Sequence, residues 1–222
     1  MNKLISEFMG TFSLVFTGCG AIIVNDLYGN ILGHFGISIV FGLIIMAMIY
    51  SVGNVSGAHL NPAVTIGFYS VKRINLKQAL LYIVSQIFGA LFASVLLKII
   101  FLSHPNLGAT TPSGNILTSF LIEVILTFLL MFIIINVSTG HKEKGIMAGV
   151  AIGGFITLAA LMGGPVSGAS LNPARSIGPS IVSGNLHHLW IYILAPILGA
   201  VLASPFCKII QGEKCLAVIE TN

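Results

Sequence analysis

The chain has 222 residues, of which 56% are hydrophobic and only 7% are charged. Soluble domains carry about 25% charged residues, and the mean hydropathy of +1.02 excludes a soluble protein, so the composition indicates an integral membrane protein. The formal net charge is +4. Its basic residues lie in short segments between apolar runs, not in a patch interleaved with aromatic residues, which excludes a nucleic-acid-binding protein.

Six apolar segments are long enough to cross a bilayer as helices, which takes about 20 residues each. They lie near residues 4–24, 34–53, 78–102, 116–137, 146–163 and 188–209. The first follows Lys3 as a signal peptide does, but Glu7 and a glycine-rich interior favour a retained span. Two further apolar pieces, 61–71 and 172–183, are too short to cross alone. The sequence predicts an all-α membrane protein with six transmembrane helices and two re-entrant half-helices.

The placement of lysine and arginine predicts the orientation of these spans. Basic residues occupy the N-terminus, the second and fourth connections and the C-terminus; the first and third connections have none, apart from Lys98 near the end of the third span. They are Lys3, Lys72, Arg73, Lys77, Lys142, Lys144, Lys208 and Lys214. This alternation fits six crossings of the lipid bilayer with both termini in the cytoplasm. We expect a multi-pass protein of the plasma membrane with a short cytoplasmic tail at 211–222.

The chain also contains an internal repeat. Residues 55–67 and 166–178 share the pattern V-S-G-A-x-L-N-P-A-x-x-I-G, and the segment around Glu7 resembles that around Glu123. Each copy contains three spans, and because three is odd, the second copy must be inverted in the membrane. Inverted repeats of this kind place a functional site near the bilayer midplane, built from discontinuous helices.

The two copies divide the chain into similar halves. Repeat one covers about 1–102 and repeat two about 116–210, and we expect them to form a single channel domain over 1–222.

Each short piece begins with an Asn-Pro pair that predicts a helix start. Asn is favoured at the N-cap and Pro at the first helical position, so Asn61-Pro62-Ala63 and Asn172-Pro173-Ala174 predict half-helices that enter from opposite faces. We expect Gly57 and Gly168 to let the incoming backbone run extended at 56–60 and 167–171. Irregular backbone at membrane depth is tolerated where it lines a wet cavity. The predicted pore-lining backbone comprises Gly57, Ala58, His59, Gly168 and Ser170.

Two half-helices that meet at their N-termini place two positive dipole ends at the membrane centre. Cations are repelled there, and the side chains of Asn61 and Asn172 can donate N–H groups to a passing oxygen. A water held in this way points both hydrogens away from the centre, which interrupts a proton-conducting chain. Arg175 is a costly charge at membrane depth, which indicates an aqueous path. It predicts one constriction on the extracellular side of a pore for neutral molecules.

These residues also carry a family resemblance. The paired boxes "SGAHLNPAVTIG" and "SGASLNPARSIGP" resemble those of the aquaporin (major intrinsic protein) family. The resemblance covers nearly the whole chain, including the contexts of Glu7 and Glu123 and the "ILAPILGA" ending. It implies six tilted helices, two half-helices, one pore per subunit and a homotetramer. Neither a cofactor nor a metal site is expected, since the three cysteines lack metal-ligand spacing.

The resemblance also implies four positions for the outer constriction of the pore. They are Phe41, Ala160, Ala169 and Arg175. Strict water channels of the family typically have His at the second position, so Ala160 removes both bulk and a hydrogen-bond donor. The implied filter is wider and more apolar than a water-only filter.

Other positions bear on the solute. Glycerol channels of the family usually have Asp and a basic residue where this chain has Ser176 and Ser180. Tyr192 and Ile193 resemble the nodulin-26-like and related prokaryotic branch, which is associated with water, glycerol and metalloid hydroxides such as arsenous, boric or silicic acid. We expect a channel for water and small uncharged hydroxylated solutes. The alternative is a water-selective channel in which Phe41 keeps the pore narrow.

Several polar residues have a structural and a functional interpretation. Glu7 and Glu123 occupy equivalent positions, and we expect them to accept backbone N–H bonds from the re-entrant loops; a proton relay is the alternative. For His59 we expect loop packing, and a pH sensor is the alternative, also open for His34. We expect His187 and His188, with Trp190, to mark the outer interface. Glycines inside the spans, such as Gly10, Gly89 and Gly199, are expected to allow close helix packing.

Other function classes have less support in the sequence. A secondary transporter uses inverted repeats too, but Glu7 and Glu123 are its only candidate coupling sites. A membrane enzyme needs a nucleophile–base pair or a metal cluster, and His141 with Glu143 fits a solvated turn better. A structural or adhesion role is the third alternative. The sequence therefore favours a passive channel and not an enzyme.

Overall fold

The computed structural model describes residues 1–138 and 146–212 of the chain. The described helices are α1 (Asn2–Leu27), α2 (Gly33–Ser56), α3 (Pro62–Ser70), α4 (Leu76–Ile100), α5 (Ile116–Val137), α6 (Ala148–Ser167), α7 (Pro173–Ser183) and α8 (Leu189–Gln211). Six of them are long and apolar enough to span a membrane, and α3 and α7 are the two short helices. The predicted all-α class is thus confirmed. His141, Glu143 and the tail beyond residue 212 lie outside the described residues.

Asparagine begins four of these helices. The Oδ1 atoms of Asn75 and Asn115 accept hydrogen bonds from backbone N–H groups in the first turns of α4 and α5, at 2.9 Å and 2.8 Å. Asn61 and Asn172 cap α3 and α7 in the same way. An N-cap side chain satisfies N–H groups that the first helical turn leaves without partners, which matters most where no bulk water is near.

The helix contacts follow the inverted repeat. Helix α1 packs against α2 and α4, and α5 makes the equivalent contacts with α6 and α8. Each half-helix packs against the last long helix of the other repeat, so α7 lies on α4 and α3 lies on α8. Helices α2 and α6, which are equivalent to each other, form the remaining large contact between the halves. The two copies therefore interlock instead of folding side by side.

Glycines permit the close helix crossings, as expected. A Cβ atom built on Gly89 of α4 would lie 3.1 Å from the backbone nitrogen of Phe12 in α1. The equivalent atom on Gly199 of α8 would lie 2.9 Å from the backbone nitrogen of Phe128 in α5. Only glycine fits at such distances, and close backbone approach is how membrane helices gain packing energy.

The surface is rich in large apolar side chains, whereas Glu7, Glu123 and Gln86 are fully buried. A surface of this kind suits lipid, because hydrocarbon tails offer polar groups no hydrogen-bond partner. The chain is an integral, multi-pass membrane protein.

Candidate channel and selectivity filter

The two half-helices meet through their asparagines at the centre of the molecule. Asn61 Nδ2 donates to the carbonyl of Leu171 at 2.8 Å, and Asn172 Nδ2 donates to the carbonyl of Leu60 at 2.9 Å. Each Oδ1 atom accepts an N–H from its own helix start, that of Ala63 or Ala174. An amide nitrogen carries two N–H donors, so each asparagine retains one N–H after these bonds. Both asparagines line a central cavity.

The N-termini of α3 and α7 thus lie together at this point. Their prolines follow the caps and, with the adjacent alanines, are buried behind the asparagines. The positive ends of two helix dipoles face the cavity, each equivalent to roughly half an elementary charge. This arrangement raises the energy of a cation and favours a solute oxygen that accepts hydrogen bonds.

The loops that lead into the half-helices are tighter than the sequence predicted. Instead of running extended, Gly57 and Gly168 adopt left-handed conformations, with φ of 88° and 82°, and end α2 and α6 as C-caps. The sign of φ then changes from residue to residue along each loop. Ala58 and Leu60 in the first loop, and Ala169 and Leu171 in the second, also have positive φ. Such conformations each cost about 1–3 kcal/mol and persist where surrounding contacts hold them. The chain reverses within a few residues because of this alternation.

The alternation leaves backbone carbonyls free. Within 1–138 and 146–212, no protein donor reaches the carbonyl oxygens of Gly57, Ala58 or His59, nor those of Ala169 and Ser170. These five residues line the cavity, whereas Gly168 is not among its lining residues and packs against Thr110. We call the unpaired carbonyl oxygens of these five cavity-lining residues the polar track.

Two buried carboxylates hold the loops. Glu7 accepts the backbone N–H groups of His59 and Leu60 at 2.9 Å and 2.7 Å, and the hydroxyl of Ser56 at 2.7 Å. A fourth bond comes from Gln86 Nε2 at 2.7 Å. All four bonds are donated to the glutamate, which leaves this carboxylate fully engaged as an acceptor.

Glu123 holds the second loop in the same way. It accepts the N–H groups of Ser170 and Leu171 and the hydroxyl of Ser167, each at 2.8 Å. These bonds fix the positive-φ loop in each half of the molecule.

The structure adds anchors that sequence reasoning missed. The hydroxyls of Tyr82 and Tyr192 donate to the carbonyls of Ser56 and Ser167, at 2.8 Å and 2.7 Å. These carbonyls belong to the last residues of α2 and α6, where helix carbonyls lack internal partners. The signal in the sequence that points to the two tyrosines is their similar spacing from the repeat boxes, 26 and 25 residues after these serines.

The cavity has chemically different walls. The three helices α2, α5 and α6 contribute apolar side chains, and Ser138, which follows the end of α5, adds a hydroxyl. The apolar side chains include Phe41, Ile45, Ile49, Leu130, Ile134, Ala148, Ile152, Ile156, Ala159 and Ala160. The polar groups come from the two loops with their free carbonyls, the two asparagines and Arg175, and α1 and α3 add the apolar side chains of Leu14, Val64 and Phe68. A solute with hydroxyl groups on one side and carbon on the other matches both walls.

The four predicted filter residues, Phe41, Ala160, Ala169 and Arg175, all line the cavity. The Arg175 guanidinium carbon lies 5.1 Å from the centroid of the Phe41 ring, and Nη1 donates to the carbonyl of Gly108 at 2.8 Å. Its Nε has no partner among the described residues. Arg175 therefore keeps donors that no described protein group uses.

The connection between α4 and α5 folds over the filter, which the sequence did not predict. Gly108 accepts the Arg175 bond, and Thr110 Oγ1 lies 2.7 Å from Ser176 Oγ. His104 Nδ1 accepts the N–H of Leu107, and its Nε2 lies 3.2 Å from Asp26. Because these contacts join segments that are distant in the sequence, no local sequence pattern predicts them.

His59 is buried against neighbouring rings, whereas His34 and His187 are exposed. His59 stacks on Phe68 at 4.6 Å between ring centroids, contacts Tyr82, and has Nδ1 3.2 Å from Thr65 Oγ1. His34 Nε2 lies 2.9 Å from the carbonyl of Leu161. His187 Nδ1 lies 3.0 Å from His188 Nε2.

The described part of the chain contains no cluster of side chains suited to bind a metal ion. There, no three His, Cys, Asp or Glu side chains come close enough to bind a metal ion.

Comparison with known proteins decides the family. The model of the family "Major intrinsic protein" matches residues 1–206. The chain belongs to this family. Its members are membrane channels, so the chain is a channel for water and small solutes and not an enzyme.

Individual relatives agree with this assignment. The major intrinsic protein described here is 43% identical to nodulin-26 of Glycine max over 95% of this chain and 78% of that one. It is 46% identical to aquaporin NIP1-1 of Arabidopsis thaliana over 90% of this chain and 71% of the relative. The X-ray structure of the aquaglyceroporin from Plasmodium falciparum superimposes with a TM-score of 0.85 at 27% identity, covering 95% of this chain and 96% of that chain.

Proposed function

We propose that the channel conducts water together with small uncharged hydroxylated solutes, namely glycerol and metalloid hydroxides such as arsenous, boric or silicic acid, and excludes protons and ions. The observation that carries this proposal is the pairing of a polar track of free carbonyls with an apolar wall, closed by a filter that contains Ala160 and Ala169. Pore diameter and the donors and acceptors along it set selectivity. The names of the relatives, which include aquaporins and an aquaglyceroporin, agree with it.

Each group has a role in this proposal. The free carbonyls accept hydrogen bonds from solute hydroxyls, while Asn61, Asn172 and Arg175 donate to solute oxygens. Arg175 and the two helix dipoles repel cations, because a low dielectric setting strengthens their field. The waters at the centre donate outward on both sides of the asparagines, so protons find no continuous chain of hydrogen bonds.

The proposal also covers the assembly and its placement. The channel forms a homotetramer with one pore per subunit, lies in the plasma membrane and keeps both termini in the cytoplasm. The family resemblance supports the tetramer, and the alternation of basic connections supports the orientation.

Stopped-flow light scattering of proteoliposomes tests the solute range. We expect fast shrinkage under a sorbitol gradient, and fast shrinkage followed by re-swelling under a glycerol gradient. Empty liposomes and an Ala160→Trp variant, whose indole fills the filter, provide the controls and should show neither process above the lipid rate. Re-swelling in glycerol makes metalloid hydroxides the next solutes to test.

A water-selective channel is the second candidate. The contact between Arg175 and the Phe41 ring favours it, because two large side chains in contact leave less open space in the filter. Fast shrinkage without re-swelling above the empty-liposome rate would establish this candidate and refute passage of glycerol.

A further inference from the structure

Gly18 of α1 lies directly behind a filter residue. A Cβ atom built on Gly18 would lie 2.6 Å from Cζ and 2.7 Å from Cδ1 of the Phe41 ring, and closer still to Cε1. Carbon atoms in contact are about 3.5–4.0 Å apart. The edge of the Phe41 ring therefore occupies the space that any other side chain at position 18 would fill.

The Phe41 ring lies between α1 and the pore. It lines the cavity with Ala160 and Arg175, and the guanidinium carbon of Arg175 is 5.1 Å from its centroid. Gly18 itself is buried and does not line the cavity. Protein interiors have little free space, so a group added to α1 at this point displaces the ring from its seat towards the cavity.

We propose that Gly18 is a positioning residue of the selectivity filter, which seats the Phe41 ring against α1 and so keeps the filter wide enough for solutes larger than water. Gly18 acts through Phe41 and touches no solute. The inference deepens the proposed function and rests on it for the solute that the filter admits. A bulkier residue at this position shifts the channel towards water alone.

The test compares two glycine substitutions in the same helix. Gly18→Ala places a methyl group against the ring, whereas Gly20→Ala places one 3.5 Å from Leu97 Cδ2, an ordinary contact. The full chain is reconstituted in proteoliposomes, and its water and glycerol permeabilities are measured per incorporated protein. We expect the ratio of glycerol to water permeability to fall on the order of tenfold in Gly18→Ala, because the methyl group overpacks a closed filter. Gly20→Ala should keep the wild-type ratio.

A second background shows whether the effect passes through the ring. In Phe41→Val the overlap is absent, so adding Gly18→Ala should leave the ratio of Phe41→Val unchanged, as expected for two residues in contact. An equal loss in both backgrounds, a raised ratio, or the same loss in Gly20→Ala would overturn the proposal. If Gly18→Ala alone fails to fold, the double variant should fold; a double variant that also fails overturns the proposal as well.

The failure of the proposed solute range is a separate outcome. Wild-type protein that passes water but no glycerol refutes the solute range. The positioning role of Gly18 is then tested by water permeability alone. A displaced ring lowers water permeability in Gly18→Ala but not in the Phe41→Val background. Water permeability that stays unchanged in both backgrounds overturns the positioning role.

Discussion

Selectivity depends on single side chains at the residue scale. In the proposed filter the small side chain of Ala160 leaves a gap, and its neighbour Ala159, which also lines the cavity, is likewise small. Because the loops supply the polar groups, an alanine in the filter changes its width without removing the donors and acceptors. Solute size and water passage can therefore be separated experimentally at position 160.

Replacing Ala160 with His should suppress solute flux more than water flux. The imidazole fills the gap and adds a hydrogen-bond donor, so we expect glycerol permeability to fall roughly tenfold and water permeability roughly twofold, since pore diameter controls passage. Ala160→Gly, which only removes a methyl group, is the matched control and should retain both fluxes. Stopped-flow light scattering measures each flux. An equal loss of both in folded protein would mean that position 160 is not a selectivity position.

At the element scale, the two re-entrant loops carry the unusual backbone of the cavity wall. Each contains non-glycine residues with positive φ, and each is held by one buried carboxylate. The two carboxylates differ, because Glu7 accepts two bonds at each oxygen, whereas Oε2 of Glu123 accepts one, from Leu171, among the described residues. Gln86, which donates the additional bond to Glu7, has no counterpart that donates to Glu123 in the described structure.

One conservative change tests these bonds in both halves. In Glu123→Gln the amide nitrogen can face Leu171, so one backbone N–H loses its acceptor. In Glu7→Gln the amide nitrogen meets one backbone N–H at either oxygen position, and the side chain beside that N–H can turn so as to accept from the new amide. At about 1–3 kcal/mol for each unsatisfied donor, we expect the two variants to lower the free energy of unfolding by similar amounts. Thermal unfolding in detergent measures this, each variant is the control for the other, and a loss in only one of them would contradict the assigned contacts.

The sequence predicts the elements well where local chemistry determines them. The Asn-Pro pairs place the starts of α3 and α7 correctly, because capping is a local interaction. The end of α6 was predicted at 163, but the helix continues through Pro165 to Ser167. Proline leaves the carbonyl of Leu161 without its helical partner, and His34 Nε2 lies 2.9 Å from that carbonyl. A contact across 127 positions leaves no local signal, so the sequence alone places the end of α6 too early.

The candidate site shows the same division. Asn61, Asn172 and Arg175 stand out in the sequence because polar residues are conspicuous in an apolar chain. The seat of Phe41 at Gly18 and the Gly108 bond to Arg175 depend on how distant segments meet, and a glycine in a span looks the same whether it faces lipid, a helix or a filter ring. The left-handed loops were missed because alanine and leucine rarely adopt positive φ.

The inverted repeat determines the orientation at the scale of the whole molecule. Six spans place the ends of the chain on one side, and the basic connection between α3 and α4 should share that side. The connection between α4 and α5, which covers the filter, should face the other side. Ser113 in that connection and Lys77 at the start of α4 are both exposed, so each accepts a cysteine with little disturbance.

A membrane-impermeant maleimide should therefore label Ser113→Cys in intact cells, and should label Lys77→Cys only after the membrane is permeabilised. The background carries Cys207→Ser and Cys215→Ser, while Cys19 is buried and serves as the unlabelled internal control. The positive-inside rule predicts this pattern. Helix α3 packs on α8 and α7 packs on α4, so one repeat cannot reverse its orientation in the membrane without the other. Labelling of Lys77→Cys in intact cells would reverse the orientation and place the Arg175 filter at the cytoplasmic end of the pore.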